Sequence, residues 1–290
     1  PRLLFVAHRE EILKQSLQVF RGVLNDQNFG DLLVGGNEPA QFDHLFTSIQ
    51  SLNSRNLSDL TPPDYYDMIV VDEFHHAAAP SYQKLLTHYT PKVLLGLTAT
   101  PERMDNLDIL GYFNGRVSAE IRLPEAINRK LLAPFHYFGV TDVVDLDGVP
   151  WRRGGYDPAE LSRLYTGNRE RADLISRAVR DYTTDLAEVI GLGFCASVEH
   201  AEYMAASFRE AGIPAACLHA GSPRELRSSI QKDLVARKIH FIFVVDLYNE
   251  GVDIPEVNTI LFLRPTESLT VFVQQLGRGL RLSDGKECLT

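Results

Sequence analysis

Asp72 and Glu73, followed by Phe74 and His75, are the residues of this chain whose types and spacing offer the most chemistry. They come directly after Met68-Ile69-Val70-Val71, an apolar run with the length and composition of a buried strand in a parallel sheet. In open α/β sheets ligands bind beyond the carboxyl ends of the strands, so position alone places both carboxylates in a binding crevice. The chemistry suits phosphates. An Asp holds Mg²⁺, directly or through water, while the metal bridges nucleotide phosphates, and a neighbouring Glu takes a proton from an attacking water. A salt-bridged acidic strand end is the competing reading of this tetrapeptide and carries about equal weight.

Other strand ends carry similar groups. Leu3 to Ala7 is an apolar run leading into His8-Arg9 and an amphipathic helix with Ile12, Leu13, Leu17 and Phe20 on one side. Arg9 and the backbone N–H groups at that helix start suit a phosphate, although capping by Glu10 and Glu11 is the simpler use of the turn. Leu45 to Ser51 reads as a strand ending in hydroxyl and amide groups, Thr47 and Gln50 among them, suited to a sugar-phosphate backbone. Val93 to Leu97 ends in Thr98-Ala99-Thr100-Pro101, where small residues and two hydroxyls allow close backbone approach.

Strands alternating with helices up to about Arg122 indicate a parallel sheet covered on both faces. Leu123 to Leu132 reads as a helix and Pro134 to Val140 as a strand leading into a second half. Asp142 to Asp157 is the least regular stretch. There Trp151, Arg152, Arg153 and Tyr156 could stack on bases and contact phosphates, but a solvated linker with a half-buried Trp is favoured. The second half repeats the first, with strands at 189–196, 214–219, 241–245 and 260–263. Ser222 to Glu225 reads as a capping box opening a helix that carries Arg227, a residue available to a phosphate or, more commonly, to a surface carboxylate. The loop after Val245 carries Glu250, Gly251 and Asp253 at a strand end. Gln274, Arg278 and Arg281, spaced four and three apart, share one face if helical, and the glycines between them suggest close backbone approach.

The chain has 290 residues, room for two domains, with ordinary hydrophobic (44%) and charged (23%) content. Net charge is −9, from 29 Lys+Arg against 38 Asp+Glu, which argues against a broad basic face for coating nucleic acid. A cleft of N–H groups, hydroxyls and a few arginines stays open. No membrane-spanning run or signal-peptide layout is present, so a cytoplasmic location is expected. Cys195, Cys217 and Cys288 are too few and too scattered for a disulfide framework or a Cys-type zinc site.

Taken in order, these stretches resemble the signatures of superfamily 2 helicases and translocases, the DExH type that includes DNA-repair and type III restriction motor proteins. Phe5-Val6-Ala7-His8-Arg9-Glu10 and Thr47-Ser48-Ile49-Gln50-Ser51 resemble nucleic-acid-contact motifs. Asp72-Glu73-Phe74-His75 is similar to the Walker B box, and Leu97 to Pro101 to the motif coupling ATP to nucleic acid. Gly193 to Ser197, Asn249 to Asp253, and Gln274 to Arg281 resemble motifs four, five and six. The resemblance implies an α/β fold of two RecA-like domains, 1–133 and 134–290, each a mostly parallel sheet with helices on both faces, with ATP in the cleft between them. It further implies that Asp72 holds Mg²⁺, Glu73 polarises the hydrolytic water and His75 links that site to the second domain. Gln274, Arg278 and Arg281 would act at the γ-phosphate and Gly251 and Asp253 near the nucleotide. Thr98 and Thr100 would couple, and Arg9, Thr47, Gln50 and Arg227 would face nucleic acid, DNA rather than RNA.

One departure stands out. The Walker A loop, G-x-x-x-x-G-K-[ST], belongs upstream of the first strand, and no stretch of the 290 residues supplies it. The expectation is therefore an excised fragment that binds ATP weakly and hydrolyses it negligibly, from a parent that is an ATPase. The alternative is a nucleotide-independent nucleic-acid-binding scaffold that keeps the helicase fold. A Mg²⁺-dependent nuclease using Asp72, Glu73 and Asp253 ranks last, and His75-His76 is a poor zinc site because adjacent helical residues point apart. Oligomeric state is not legible.

Overall fold

Leu3-Leu4-Phe5-Val6-Ala7 is apolar at every position and buried at every position, as a strand covered on both faces must be. It is β1 (Leu3–Ala7) of a computed structural model that describes residues 1–98, 109–152, 155–245, 254–266 and 268–290. The chain divides into two units, Pro1–Glu120 and Ile121–Thr290.

In the first unit β1 is followed by α1 (Glu10–Leu24), β2 (Asp31–Leu33), β3 (His44–Ser48), α2 (Ile49–Ser54), α3 (Leu57–Leu60), β4 (Met68–Val71), α4 (Pro80–His88) and β5 (Val93–Gly96). The five strands form one parallel sheet in the order β2-β3-β1-β4-β5. Register sets Ala7 beside Ser48, Val6 beside Val71 and Val71 beside Gly96, so β1, β3, β4 and β5 end nearly level. Leu13 and Leu17 of α1 cover one face with Phe5 and Phe46, while Leu52, Tyr82 and Leu85 of α2 and α4 cover the other with Leu4, Val6 and Val71. The covering fails at the β5 edge, where Val93 and Leu95 are 50% and 38% exposed.

The second unit contains α5 (Leu123–Asn128), a short ladder of β6 (Trp151–Arg152) with β7 (Gly155–Tyr156), α6 (Pro158–Tyr165), α7 (Arg169–Tyr182), β8 (Gly191–Phe194), α8 (Val198–Glu210), β9 (Ala215–Leu218), α9 (Arg224–Val235), β10 (Phe241–Val244), β11 (Thr259–Phe262) and α10 (Leu269–Gly277). Its main sheet is parallel, ordered β11-β8-β10-β9. Helix α5 goes with this unit because Leu123 and Leu132 pack on its core and Ala133 N donates to Leu280 O at 2.7 Å. The division therefore falls ahead of residue 133, where the sequence reading put it. Both units are α/β with parallel sheets, as expected.

Two local expectations change. Residues 134–140 form no strand; Phe135 makes one parallel bridge, to Leu289, and Thr290 hydrogen-bonds to Asn258 and Ile260 beside β11. Ser222 does not cap α9: its hydroxyl accepts from His219 N instead, and Pro223 occupies the cap position. Among the described residues no helix is long and apolar enough to cross a membrane.

Register explains two glycines of β8. Gly191 pairs with Phe241 and Gly193 with Phe243, and a Cβ at either would lie 2.2 or 2.5 Å from the facing ring. Phe208 of α8 locks both rings edge-on, at 5.2 and 4.8 Å. Gly193→Ala should therefore destabilise the second unit by about 1–3 kcal/mol in urea denaturation. A cost below about 0.5 kcal/mol would show that the rings give way freely.

Candidate functional site

The turn after β4 is built by two opposed demands. Phe74 must go inward: it is 1% exposed, its N donates to Leu97 O at 2.8 Å, and its ring lies 4.8 Å from that of Phe113. Gly96 makes room, since a Cβ there would sit 2.7 Å from both rings. Glu73 meets this demand by adopting φ 50°, ψ 51°, a left-handed conformation that non-glycine residues rarely take. Its Oε2 then lies 3.2 Å from His75 Nδ1, which is 3.3 Å from Thr98 Oγ1. Among the described residues Glu73 Oε2 is buried there without a hydrogen-bond donor, and the ring's hydrogen bond is to Thr98. His75 thus joins the β4 turn to the end of β5, a link inside the first unit.

Asp72 N donates to Val6 O at 2.9 Å, fixing Asp72 beside the end of β1. There Arg9 Nε donates to His8 Nε2 at 3.3 Å, and the His8 and His76 rings are 6.0 Å apart. His8 and His76 are polar residues of this edge that the sequence reading named, His76 as a poor zinc ligand, but gave no role beside Asp72. The only signal was their place beside strand ends. No group of three or more His, Cys, Asp or Glu among the described residues is arranged to hold a metal.

At the end of β3 the hydroxyls are used locally. Thr47 is fully buried and donates to Leu33 O at 3.0 Å; Ser48 caps α2, accepting from Ser51 N at 3.0 Å. Gln50 remains exposed on α2. Thr100, Gly251 and Asp253 lie outside the described residues.

In the second unit α10 ends at Gly277 and Arg278 is its helical C-cap, so the shared face holds Gln274 and Arg278 but not Arg281. Tight turns follow, with Gly279 N donating to Leu276 O and Leu280 N to Gly277 O. Close approach explains one of the two glycines: a Cβ on Gly279 would lie 2.3 Å from Leu289, whereas Gly277 has open space. Arg281 O accepts from Lys286 Nζ, and burial lowers that ammonium's pKa to about 8. Arg227 donates to Ala220 O, so its guanidinium is anchored at the start of α9.

Sequence spacing also missed a buried polar group behind β8 and β11. Arg171 (4% exposed) pairs with Asp142 at 2.8 Å, donates to Leu263 O at 3.0 Å and lies over the Tyr165 ring at 3.9 Å. His200, fully buried, accepts from Ala196 N at 3.2 Å through Nδ1 and has Arg171 Nη1 3.3 Å from Nε2. Its neighbours are donors, so protonation would leave no acceptor. Burial first and the Arg171 charge second push its pKa down to about 3.

Residues 1–103 match the family model for the type III restriction enzyme res subunit, and residues 184–283 match the helicase conserved C-terminal domain. One match falls in each of the two units. A Schizosaccharomyces pombe protein described as a mitochondrial ATP-dependent helicase is 29% identical over 99% of this chain and 47% of its own length. The fragment structure of an HsdR subunit of a type I restriction enzyme from Vibrio vulnificus superposes with TM-score 0.73 at 23% identity, covering all of this chain and 52% of that one. The type ISP restriction-modification enzyme LlaBIII, bound to DNA, gives TM-score 0.66 at 17% identity over 99% of this chain and 24% of that one. The chain spans about half the length of the curated relatives it matches.

Glu73→Gly should stabilise the first unit by up to about 1 kcal/mol in chemical denaturation, because glycine takes the left-handed conformation without strain. A loss of more than about 1 kcal/mol would show that the Glu73–His75 pair holds the turn. For His200 the folded pKa, about 3, lies below the ordinary value of 6.5. The unfolded chain therefore binds the extra proton, and the second unit loses stability as pH falls from about 6.5 toward 3. His200→Gln should flatten that slope; an unchanged slope would place the proton uptake elsewhere.

Proposed function

We propose that this chain is the motor portion of an ATP-dependent helicase or translocase acting on DNA. One observation carries the reading: Asp72 and Glu73 stand at the carboxyl end of β4, inside a parallel sheet whose sequence matches the res-subunit family, in a chain that also carries a helicase C-terminal domain. Strand ends of such sheets are where nucleotides bind.

In this reading Asp72 would hold Mg²⁺, which would supply positive charge against the nucleotide phosphates. One carboxylate would suffice, because Mg²⁺ takes most of its ligands from phosphate and water. Glu73 accepts the proton of the attacking water. The contact to His75, and through it to Thr98, holds the carboxylate in one rotamer and connects hydrolysis to the end of β5. Thr100 continues that coupling. Arg278 and Arg281, with Gln274, stabilise charge on the transferring phosphoryl group, and Gly251 and Asp253 act near the nucleotide.

Arg9, Gln50 and Arg227 contact the nucleic-acid backbone, and Thr47 shapes the β3 end that presents Gln50. Contacts of this kind carry little sequence information. DNA is favoured because a structural neighbour at TM-score 0.66 is a restriction-modification enzyme bound to DNA. The missing G-x-x-x-x-G-K-[ST] loop predicts weak ATP binding by the 290 residues alone.

Steady-state ATP hydrolysis by the full gene product, measured without nucleic acid and with duplex DNA, single-stranded DNA and RNA, tests the reading. Stimulation by DNA, lost in Asp72→Asn and reduced by about 10³-fold or more in Arg278→Ala, is expected. Background rates in all four arms would replace the motor with a scaffold that keeps the fold.

A further inference from the structure

The stretch around Trp151 is not the irregular linker its Gly and Pro content suggests. Trp151–Arg152 and Gly155–Tyr156 form an antiparallel ladder with Trp151 opposite Tyr156, and Asp157 N donates to Pro150 O at 2.9 Å to close its base. Asp157 goes on to cap α6, accepting from Ala159 N and Glu160 N, so the ladder is anchored to a helix. Trp151 is nevertheless 57% exposed, with its ring edge-on to Tyr156 at 4.8 Å. A large aromatic surface held in fixed orientation in water is costly unless something covers it.

Tyr156 is also one wall of a cavity of about 320 Å³, wholly within the second unit. The cavity lies beyond the carboxyl ends of β8 and β11, and its wall includes Ala196, Arg264, Thr266 and Ser268 beside apolar Leu161 and Val271. That size is within the usual range for a small-molecule cleft. The exposed indole beside Tyr156, together with the phenol ring, guanidinium and two hydroxyls that line the cavity, matches a nucleotide unit: a π-face for the base, a cation and hydroxyls for the phosphodiester. Near Tyr156, the carboxylate of Asp157 is occupied as the helix cap and that of Glu160 is paired with Arg163 at 2.8 Å.

We propose that the Trp151–Tyr156 ladder is a stacking platform for an unpaired base of single-stranded nucleic acid, with the adjoining phosphate received in the cavity beside Arg264. The inference rests on the nucleic-acid-motor reading and adds to it an aromatic element, the Trp151–Tyr156 ladder, beside the ends of β8 and β11. Stacking on aromatic side chains tolerates any base, which suits a protein whose other contacts are to the backbone. A paired base in a duplex does not offer its face, so the platform selects unpaired strands.

The chain contains a single tryptophan, so its intrinsic fluorescence reports this site directly. The 290-residue chain would be titrated with end-labelled oligothymidylate, oligouridylate, a matched DNA duplex and ATP alone, following tryptophan emission and label anisotropy together. The expected result is saturable quenching by a single strand, little by duplex and none by ATP. Trp151→Ala should weaken single-strand binding by at least about fivefold, with Trp151→Phe restoring most of it. Saturating anisotropy with unchanged emission, or wild-type affinity in Trp151→Ala, overturns the platform while leaving the nucleic-acid reading standing. Equal quenching by duplex overturns the preference for unpaired bases, and quenching by ATP alone reassigns the cavity to free nucleotide. No binding of any strand overturns both the platform and the reading beneath it.

Discussion

Parallel strands buried on both faces leave chemistry one place to go, and both halves of this chain follow that constraint. Side chains of β1 and β10 point into packed apolar layers on either side, and their backbone groups pair with neighbouring strands. Only where strands stop do polar groups collect. In the first unit register brings four strand ends nearly level, so His8, Arg9, Asp72, Glu73 and Thr98 come to one edge from segments far apart in sequence. In the second, the ends of β8 and β11 bring Ala196 and Arg264 to one cavity.

The two edges are stabilised differently. The first depends on tight aromatic packing beneath a strained turn: Phe74 is fixed by Gly96 and Phe113, and Glu73 bears the conformational cost. A carboxylate kept in the left-handed region where a glycine would fit better is the pattern of a position chosen for chemistry over stability. The second depends on a buried charge with several partners. Arg171 ties Asp142, Tyr165, His200 and the carbonyl of Leu263 together and so fixes the loops after β8 and β11.

Much of this was legible in the sequence, for identifiable reasons. Continuous apolar runs such as Leu3 to Ala7 and Phe241 to Val245 read as buried parallel strands because two-sided burial removes alternation. The cap at Asp157 with Pro158 was legible because cap chemistry is local. What stayed hidden depends on contacts across the fold. Thr47 looked like a ligand group, but its neighbour in space is the carbonyl of Leu33. Arg281 looked like a third member of a helix face until the helix stopped at Gly277, with Gly279 pressed against Leu289. Arg171 and Asp142 lie 29 residues apart and have no periodic signature. The Trp151 ladder was hidden by the glycines and prolines around it, which read as a linker.

The most direct test of the central claim, that the carboxylate at the end of β4 does the hydrolytic chemistry, separates binding from turnover. In the full gene product carrying Glu73→Gln, equilibrium affinity for Mg·ATP and single-turnover hydrolysis would be measured side by side in the presence of DNA. The predicted result is affinity within a few-fold of wild type with hydrolysis reduced by about 10²-fold or more, as expected when a general base is lost. Affinity and hydrolysis falling together, or hydrolysis left unchanged, would contradict it and reduce Glu73 to a structural residue of its turn.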